Sequence, residues 1–214
     1  MNTAERTFTT EQEKFWAGEF GDGYVGRNEA NPETLAGNLF FFTKALRQLT
    51  PAPTSIVEFG ANIGLNLRAL RRLYPDAKQT AVEINGSAVE RLRRDEIADC
   101  VVHESILNYT VDQPHDLALI KGVMIHLDPA ALPGVYRKLA EASSRYVLIA
   151  EYYNRRPEEV PYRGHRGRLF RRDFGGEFMD TCPEFSLVDY GFSYHRDSRE
   201  RQDDLTWFLF RRTD

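Results

Sequence analysis

Apolar positions along this chain follow two rhythms. Leu35, Leu39, Phe42, Leu46 and Leu49 recur three or four residues apart, which predicts a helix with one buried face over "ETLAGNLFFFTKALRQL", ended by Pro51 and Pro53. Upstream, "TTEQEKFWAGEF" carries a helix start, with Thr9 or Thr10 capping and Glu13 three residues after Thr10. "GDGYVGRNEANP", between the two, reads as a loop. From Ser55 onward short apolar runs alternate with amphipathic ones. "SIVEFG", "QTAVEIN", "DCVVHESI", "HDLALIKGV" and "RYVLIAEYY" read as five strands. "GLNLRALRRLYP", "GSAVERLRRDEI" and "DPAALPGVYRKLAEAS" read as helices, the last opened by Asp128 with Pro129 in its first turn. This alternation predicts a parallel sheet wrapped on both faces. "FSLVDYGFSYHRD" and "DDLTWFLFRR" have no helix between them and predict an antiparallel hairpin that finishes the sheet.

At 214 residues the chain fits one compact unit, a helical N-terminal lid over residues 1–50 on an α/β domain over 51–214. A net charge of −4 argues against a general nucleic-acid binder, which needs a basic face. Two cysteines, Cys100 and Cys182, make neither a disulfide framework nor a zinc site. No apolar run approaches a membrane span or a secretion signal, so a cytoplasmic setting is expected.

The chemistry starts at "IVEFGANIG", Ile56–Gly64. Gly60 and Gly64 sit between the first strand and its helix, where glycine lets a ligand approach the backbone. A pyrophosphate at that turn would find Glu58 an unfavourable neighbour. A ligand without phosphate, carrying an ammonium and a sulfonium, tolerates the acid. Glu83 ends the second strand, 25 residues beyond Glu58, and suits the hydroxyls of a ribose. Ser105 and Ile106, in "ESI" at the end of the third strand, suit an adenine edge and face. Together these three strand ends point to S-adenosyl-L-methionine rather than a dinucleotide.

"VEFGANIGLNLRAL" with "AVEIN", then "KGVMIHLDPAALP", "LIAEYYNRRPEEVPYRGHRGRLFRRDFGGEFMD" and "LVDYGFSYHRD", resembles the pseudaminic acid biosynthesis-associated methylase family from about Phe15 onward. These are class I methyltransferases, so the resemblance implies a Rossmann-like class I sheet and a methyl-transfer function on a nonulosonic-acid sugar or its nucleotide conjugate. It also implies that Gly60, Ala61, Asn62 and Gly64 cradle the amino-acid part of the cofactor. By the same resemblance Glu83 and Ile84 hold ribose and adenine, Ser105 and Ile106 hold adenine, and Lys121 and Gly122 line the pocket beside the methyl. "YVGRN" resembles the segment that closes over the cofactor, with Tyr24 at its wall and Arg27 meeting the carboxylate.

The receiving side is expected after the fifth strand. "EYYNRRPEEVPYRGHRGRLFRRDF" gathers Arg155, Arg156, Arg163, Arg166, Arg168, Arg171 and Arg172 on an otherwise acidic chain, with Tyr152, Tyr153, Tyr162 and His165. Arginine forks suit carboxylate or phosphate, and the rings supply flat walls. An anionic metabolite, a solvated charged loop and an RNA surface all fit that composition. Tyr152, Tyr153, Asn154, Arg163, His165, Arg172, Asp203 and Asp204 are the candidate acceptor contacts. His126, His165 and His195 are candidate bases, since histidine titrates near neutral pH, and Tyr152 and Tyr153 adjoin the expected methyl. Two other readings use the same cofactor: cyclisation of its aminobutyl chain with release of methylthioadenosine, and a non-catalytic binding module.

Overall fold

The computed structural model describes residues 8–200 and 202–213; residues 1–7 of the expected lid lie outside them. Three helices come first, α1 (Glu11–Ala17), α2 (Glu19–Arg27) and α3 (Pro32–Ala45). The Thr10 side chain accepts from the Glu13 N–H while the Glu13 carboxylate bonds back to Thr10, the reciprocal cap its spacing predicts. α2 corrects the loop expected over "GDGYVGRN". Glycines hid it, and tertiary contacts hold it: Val25 packs with Ile63 and Ala88, and Asp22 accepts from Asn85 and Ser87.

The sheet is built from β1 (Ser55–Phe59), β2 (Lys78–Glu83), β3 (Cys100–His103), β4 (His115–Lys121), β5 (Ser143–Glu151), β8 (Phe185–Ser193) and β9 (Leu205–Arg212). The order is β3-β2-β1-β4-β5-β9-β8, with the first five strands parallel and β9 antiparallel to both β5 and β8. The expected parallel sheet and its closing hairpin are both present. A separate two-stranded pair, β6 (Glu158–Glu159) and β7 (Phe170–Arg171), lies in the arginine-rich segment. Helices α4 (Leu65–Leu73), α5 (Gly86–Arg94) and α6 (Leu132–Glu141) are the crossovers. The Asp128–Pro129 start opens a short 3-10 turn, Pro129–Ala131, which leads into α6. α7 (Phe174–Thr181) was not anticipated; it is anchored by buried Phe174 and Phe178.

Side chains alternate across the sheet. Val57, Phe59, Ala118 and Ile120 pack with α6 and α7, while Ile56, Leu117 and Leu119 pack with α3 and α4. Both faces are thus covered, and the carboxyl ends of β1, β2 and β4 meet where the strand order reverses. That edge is the natural place for a ligand in an open α/β sheet. No helix among the described residues is long and apolar enough to cross a membrane.

Candidate functional site

The loop after β1 turns back on β2. Gly60 takes φ +71 and donates to the Val82 carbonyl at 2.8 Å. A Cβ there would lie 2.5 Å from the Val123 side chain, so only glycine lets the two segments close. Asn62, at φ +48, donates its N–H to Glu83 Oε2 at 2.7 Å, and Glu83 Oε1 accepts from the Asn85 N–H at 2.7 Å. Glu83 is buried; burial raises its pKa against the pull of these backbone donors. Each of its oxygens keeps a lone pair for a further donor. The Asn62 side-chain oxygen is also buried and has no partner.

α1 and α2 lie over this edge. Asn85 Nδ2 donates to the Trp16 carbonyl at 3.1 Å and to Asp22 at 3.0 Å, tying both helices to the end of β2. The result is a cavity with Val82, Ile84 and Ile106 from the sheet and Glu13, Trp16 and Tyr24 from the helices. Its far wall is Gly122, Val123, His126 and Leu127. A second cavity shares Tyr24, Gly60, Asn62, Gly122 and Val123 with the first and runs on to Lys121. Through His195 and Asp203 it opens into a surface groove. One continuous cleft therefore leads from Glu13 to the outside.

Lys121 lines the second cavity and interacts with two buried acids, Glu58 and Glu151. Glu58 points behind the loop, fully buried, with Asn66 Nδ2 donating at 2.6 Å to one oxygen and no partner for the other. Burial pushes its pKa up to about 8, against the Asn66 bond and the Lys121 charge. Burial lowers the pKa of Lys121, opposed first by Glu58; its ammonium lies 5.5 Å over the Phe41 ring. Glu151, at the end of β5, accepts the N–H groups of Val123, Met124 and Ile125.

The outer groove holds Tyr152, Tyr153, Arg171, Phe192, His195, Asp203 and Asp204. Tyr152 donates to Asp203 at 2.8 Å; burial and that carboxylate hold the phenol well above its ordinary pKa, so Tyr152 is a fixed donor rather than a base. His195 Nδ1 lies 2.9 Å from both Asp204 oxygens, which orients the ring. Phe192 and Tyr153 are exposed along the groove.

Of the residues expected from the sequence, Tyr24, Gly60, Ala61, Asn62, Glu83, Ile84, Ser105, Ile106, Lys121 and Gly122 line the cleft. Glu58 and Gly64 stand behind it; a Cβ on Gly64 would meet Ile97 at 2.5 Å, so this glycine serves packing. Arg27 is exposed and stacks on Phe20 and Tyr24 at 5.5 Å, outside both cavities. His126 lies at the inner end, bonded through Nδ1 to the Arg168 carbonyl, with its pKa pushed down to about 4 by burial. It is neutral and lines neither the second cavity nor the groove. His165 packs against the Phe15 and Phe20 rings. Arg172 is held by Glu177 at 2.8 Å, Asn154 by Glu158 at 2.9 Å, and Arg163 lies over Tyr162. Of the seven arginines only Arg171 lines the groove. Glu13, Trp16, Asn85 and Val123 were missed as walls. Glu13 announces itself in sequence only as a cap, and Val123 only as the end of an apolar run.

Among the described residues no His, Cys, Asp and Glu side chains gather as a metal site. No family model and no curated protein matches the chain, so the resemblance to the pseudaminic acid-associated family gains no support there. Solved structures do match. A methyltransferase dependent on S-adenosylmethionine from Leishmania major aligns with TM-score 0.70 at 16% identity, over 94% of this chain and 87% of that one. The 1,6-didemethyltoxoflavin-N1-methyltransferase of Burkholderia thailandensis, bound to its substrate and S-adenosylhomocysteine, aligns with TM-score 0.67 at 14% identity, over 99% and 94%. Magnesium protoporphyrin IX methyltransferase from Synechocystis, with bound S-adenosylmethionine, aligns with TM-score 0.67 at 9% identity, over 97% and 100%. At such identities the likeness establishes architecture, and the architecture is that of the class I S-adenosylmethionine-dependent methyltransferases.

Proposed function

We propose that the chain is an S-adenosylmethionine-dependent methyltransferase that acts on a small polar acceptor entering by the Tyr152–His195 groove. The observation that carries this reading is the buried Glu83 carboxylate, fixed by Asn62 and Asn85 with lone pairs left over, beside a loop with no provision for phosphate. A vicinal diol fits that carboxylate, and the partnerless Asn62 oxygen fits an ammonium. At Gly122 a Cβ would project into open space, so the absence of a side chain there leaves room in the cleft. When bound, S-adenosylmethionine supplies an electrophilic methyl carbon.

The chain's own work is alignment and proton removal. Tyr153 and Phe192 flank the acceptor, and the Tyr152–Asp203 pair orients it. His195, steadied by Asp204, takes the proton that an acceptor hydroxyl or amine loses. Two carboxylates and one guanidinium make the groove suited to an acceptor rich in donors with a single anionic group. A nonulosonic-acid sugar has that profile: its carboxylate pairs with Arg171, its hydroxyls or amine with Asp203 and Asp204.

The test is incubation with S-adenosylmethionine and a panel of such sugars and their nucleotide conjugates, with mass spectrometry of cofactor and acceptor. S-adenosylhomocysteine together with an acceptor one methylene heavier is expected. A methylated product from an unrelated metabolite, and none from the sugars, would replace the acceptor. Methylthioadenosine without methylated product would replace the reaction.

A further inference from the structure

At the inner end of the cleft, past Val82, Ile84 and Ile106, the wall is made by α1 and the Glu104–Ile106 turn. If the ribose of the proposed cofactor sits at Glu83, its purine lies here. Most polar side chains around this end are satisfied, the exceptions being Glu13 and the Trp16 indole N–H, which is a buried donor without a partner. Gln12 Nε2 donates to the Gly167 carbonyl, and Asn85 is bonded at both ends of its amide. Ser105 Oγ accepts from the Leu107 N–H, and His126 Nδ1 is bonded to the Arg168 carbonyl.

Glu13 differs. It is 2% exposed. Oε2 accepts from the Thr9 N–H at 2.8 Å, the Thr9 hydroxyl at 2.7 Å and the Thr10 N–H at 2.8 Å. Oε1 is buried with no partner in hydrogen-bond geometry, on a residue that lines the cleft next to the Ser105 hydroxyl. Burial raises the Glu13 pKa, but the neighbouring Ser105 and Thr9 hydroxyls and the backbone donors outweigh it, so the group is an acceptor only. A buried carboxylate oxygen left unpaired costs more than an exposed one, so the cleft's occupant should present a donor to it.

We infer that Glu13 reads the exocyclic amino group of the cofactor's purine, so that the N-terminal helix selects adenine. This rests on the cofactor reading above. A 6-aminopurine base carries its only N–H donors on that amino group. A 6-oxopurine would set a carbonyl oxygen against Glu13 Oε1, acceptor facing acceptor.

The reciprocal cap makes a clean substitution available, because Gln serves it as well as Glu. In Glu13→Gln the amide oxygen must take the Thr9 and Thr10 donors, which leaves the NH₂ in the place of Oε1. One acceptor thereby becomes one donor with the helix start intact. The experiment is calorimetric titration of the whole chain, wild type and Glu13→Gln, with S-adenosylhomocysteine and with S-inosylhomocysteine, plus the melting temperature of both proteins. Wild type is expected to prefer the adenosyl ligand by at least about 100-fold, as sites built to pair a polar group reject its mismatch. Glu13→Gln is expected to cut that preference by at least about tenfold, with little change in melting temperature. Equal preference in the two proteins would overturn the role of Glu13 alone. Failure of wild type to bind either ligand would overturn the cofactor reading, and this inference with it.

Discussion

Glu151, the last residue of β5, accepts the backbone N–H of Val123, in the turn that follows β4, at 3.0 Å. Met124 donates to the same oxygen at 2.9 Å and Ile125 to its partner at 3.4 Å. One carboxylate thus satisfies the start of the turn that walls the cleft opposite Gly60. The strand core and the ligand site are joined through it. Replacing Glu151 by Ala strands these N–H groups in the interior, at a cost of ~2–4 kcal/mol. Urea denaturation should show that loss, and titration should show weaker S-adenosylhomocysteine binding because Val123 loses its anchor. Unchanged stability would mean water enters and replaces the carboxylate.

Gly60 and Gly122 both have positive φ, +71 and +67, yet alanine should act differently at each. At Gly60 the new methyl collides with Val123 at 2.5 Å in addition to the backbone strain. Overpacking and left-handed strain together predict a loss of ~2–4 kcal/mol. At Gly122 nothing lies within 4 Å of the new carbon, so only the strain of ~1–2 kcal/mol remains. That methyl enters the cleft, and S-adenosylhomocysteine should bind at least about tenfold more weakly, equivalent to ~1.4 kcal/mol. The pair of variants separates a glycine kept for packing from one kept for ligand room.

What could be read in the sequence was what repeats or what backbone chemistry dictates. The period of apolar residues predicts the parallel strands and crossover helices because burial on a sheet face and on a helix stripe have different spacings. The glycine after β1 and the acid ending β2 were legible because a tight turn and a strand end need those residue types, and Gly60 and Glu83 line the cleft. α2 was hidden because its three glycines and low hydrophobicity contradict its local propensity; its helix is held through its own Asp22, which accepts from Asn85 and Ser87 elsewhere in the chain. The arginine-rich segment misled in the same way. Its charges look collective in sequence, but Arg172, Arg163 and Arg168 are spent on Glu177, Tyr162 and Phe15, leaving Arg171 at the groove.

The buried acids predict a particular dependence of stability on pH. Burial raises the pKa of Glu58 to about 8 and of Glu151 to about 7, while an unfolded glutamate titrates near ~4.3. The folded chain therefore binds more protons than the unfolded one between those values. Stabilisation from these groups is complete below the unfolded value and is lost as pH rises through about 7 to 8. Melting temperature should fall from pH 5.5 to pH 8.5. Glu58→Gln keeps an acceptor for Asn66 and removes one titration, so the slope above pH 7 should flatten. A slope unchanged in the variant would place the titration elsewhere, with Glu151 or Glu83, both raised by burial, the next to test.

His195 and Asp204 predict how the acceptor's proton leaves. Nδ1 of His195 is held by both Asp204 oxygens at 2.9 Å, so the other ring nitrogen is the one free to meet an acceptor. Both residues belong to the groove wall and neither lines the inner cavity beside Glu83. His195→Ala should accordingly leave S-adenosylhomocysteine affinity within about twofold while turnover drops ~10²–10⁴-fold, the range of a lost general base. Asp204→Asn keeps the bond's geometry but favours the wrong tautomer, with its amide able to donate to Nδ1, and should give a smaller drop in kcat. Added imidazole distinguishes this from a packing defect: it should restore part of the turnover of His195→Ala and leave Asp204→Asn unchanged. Unchanged turnover in His195→Ala would show that another group carries the proton, or that the acceptor reacts already deprotonated.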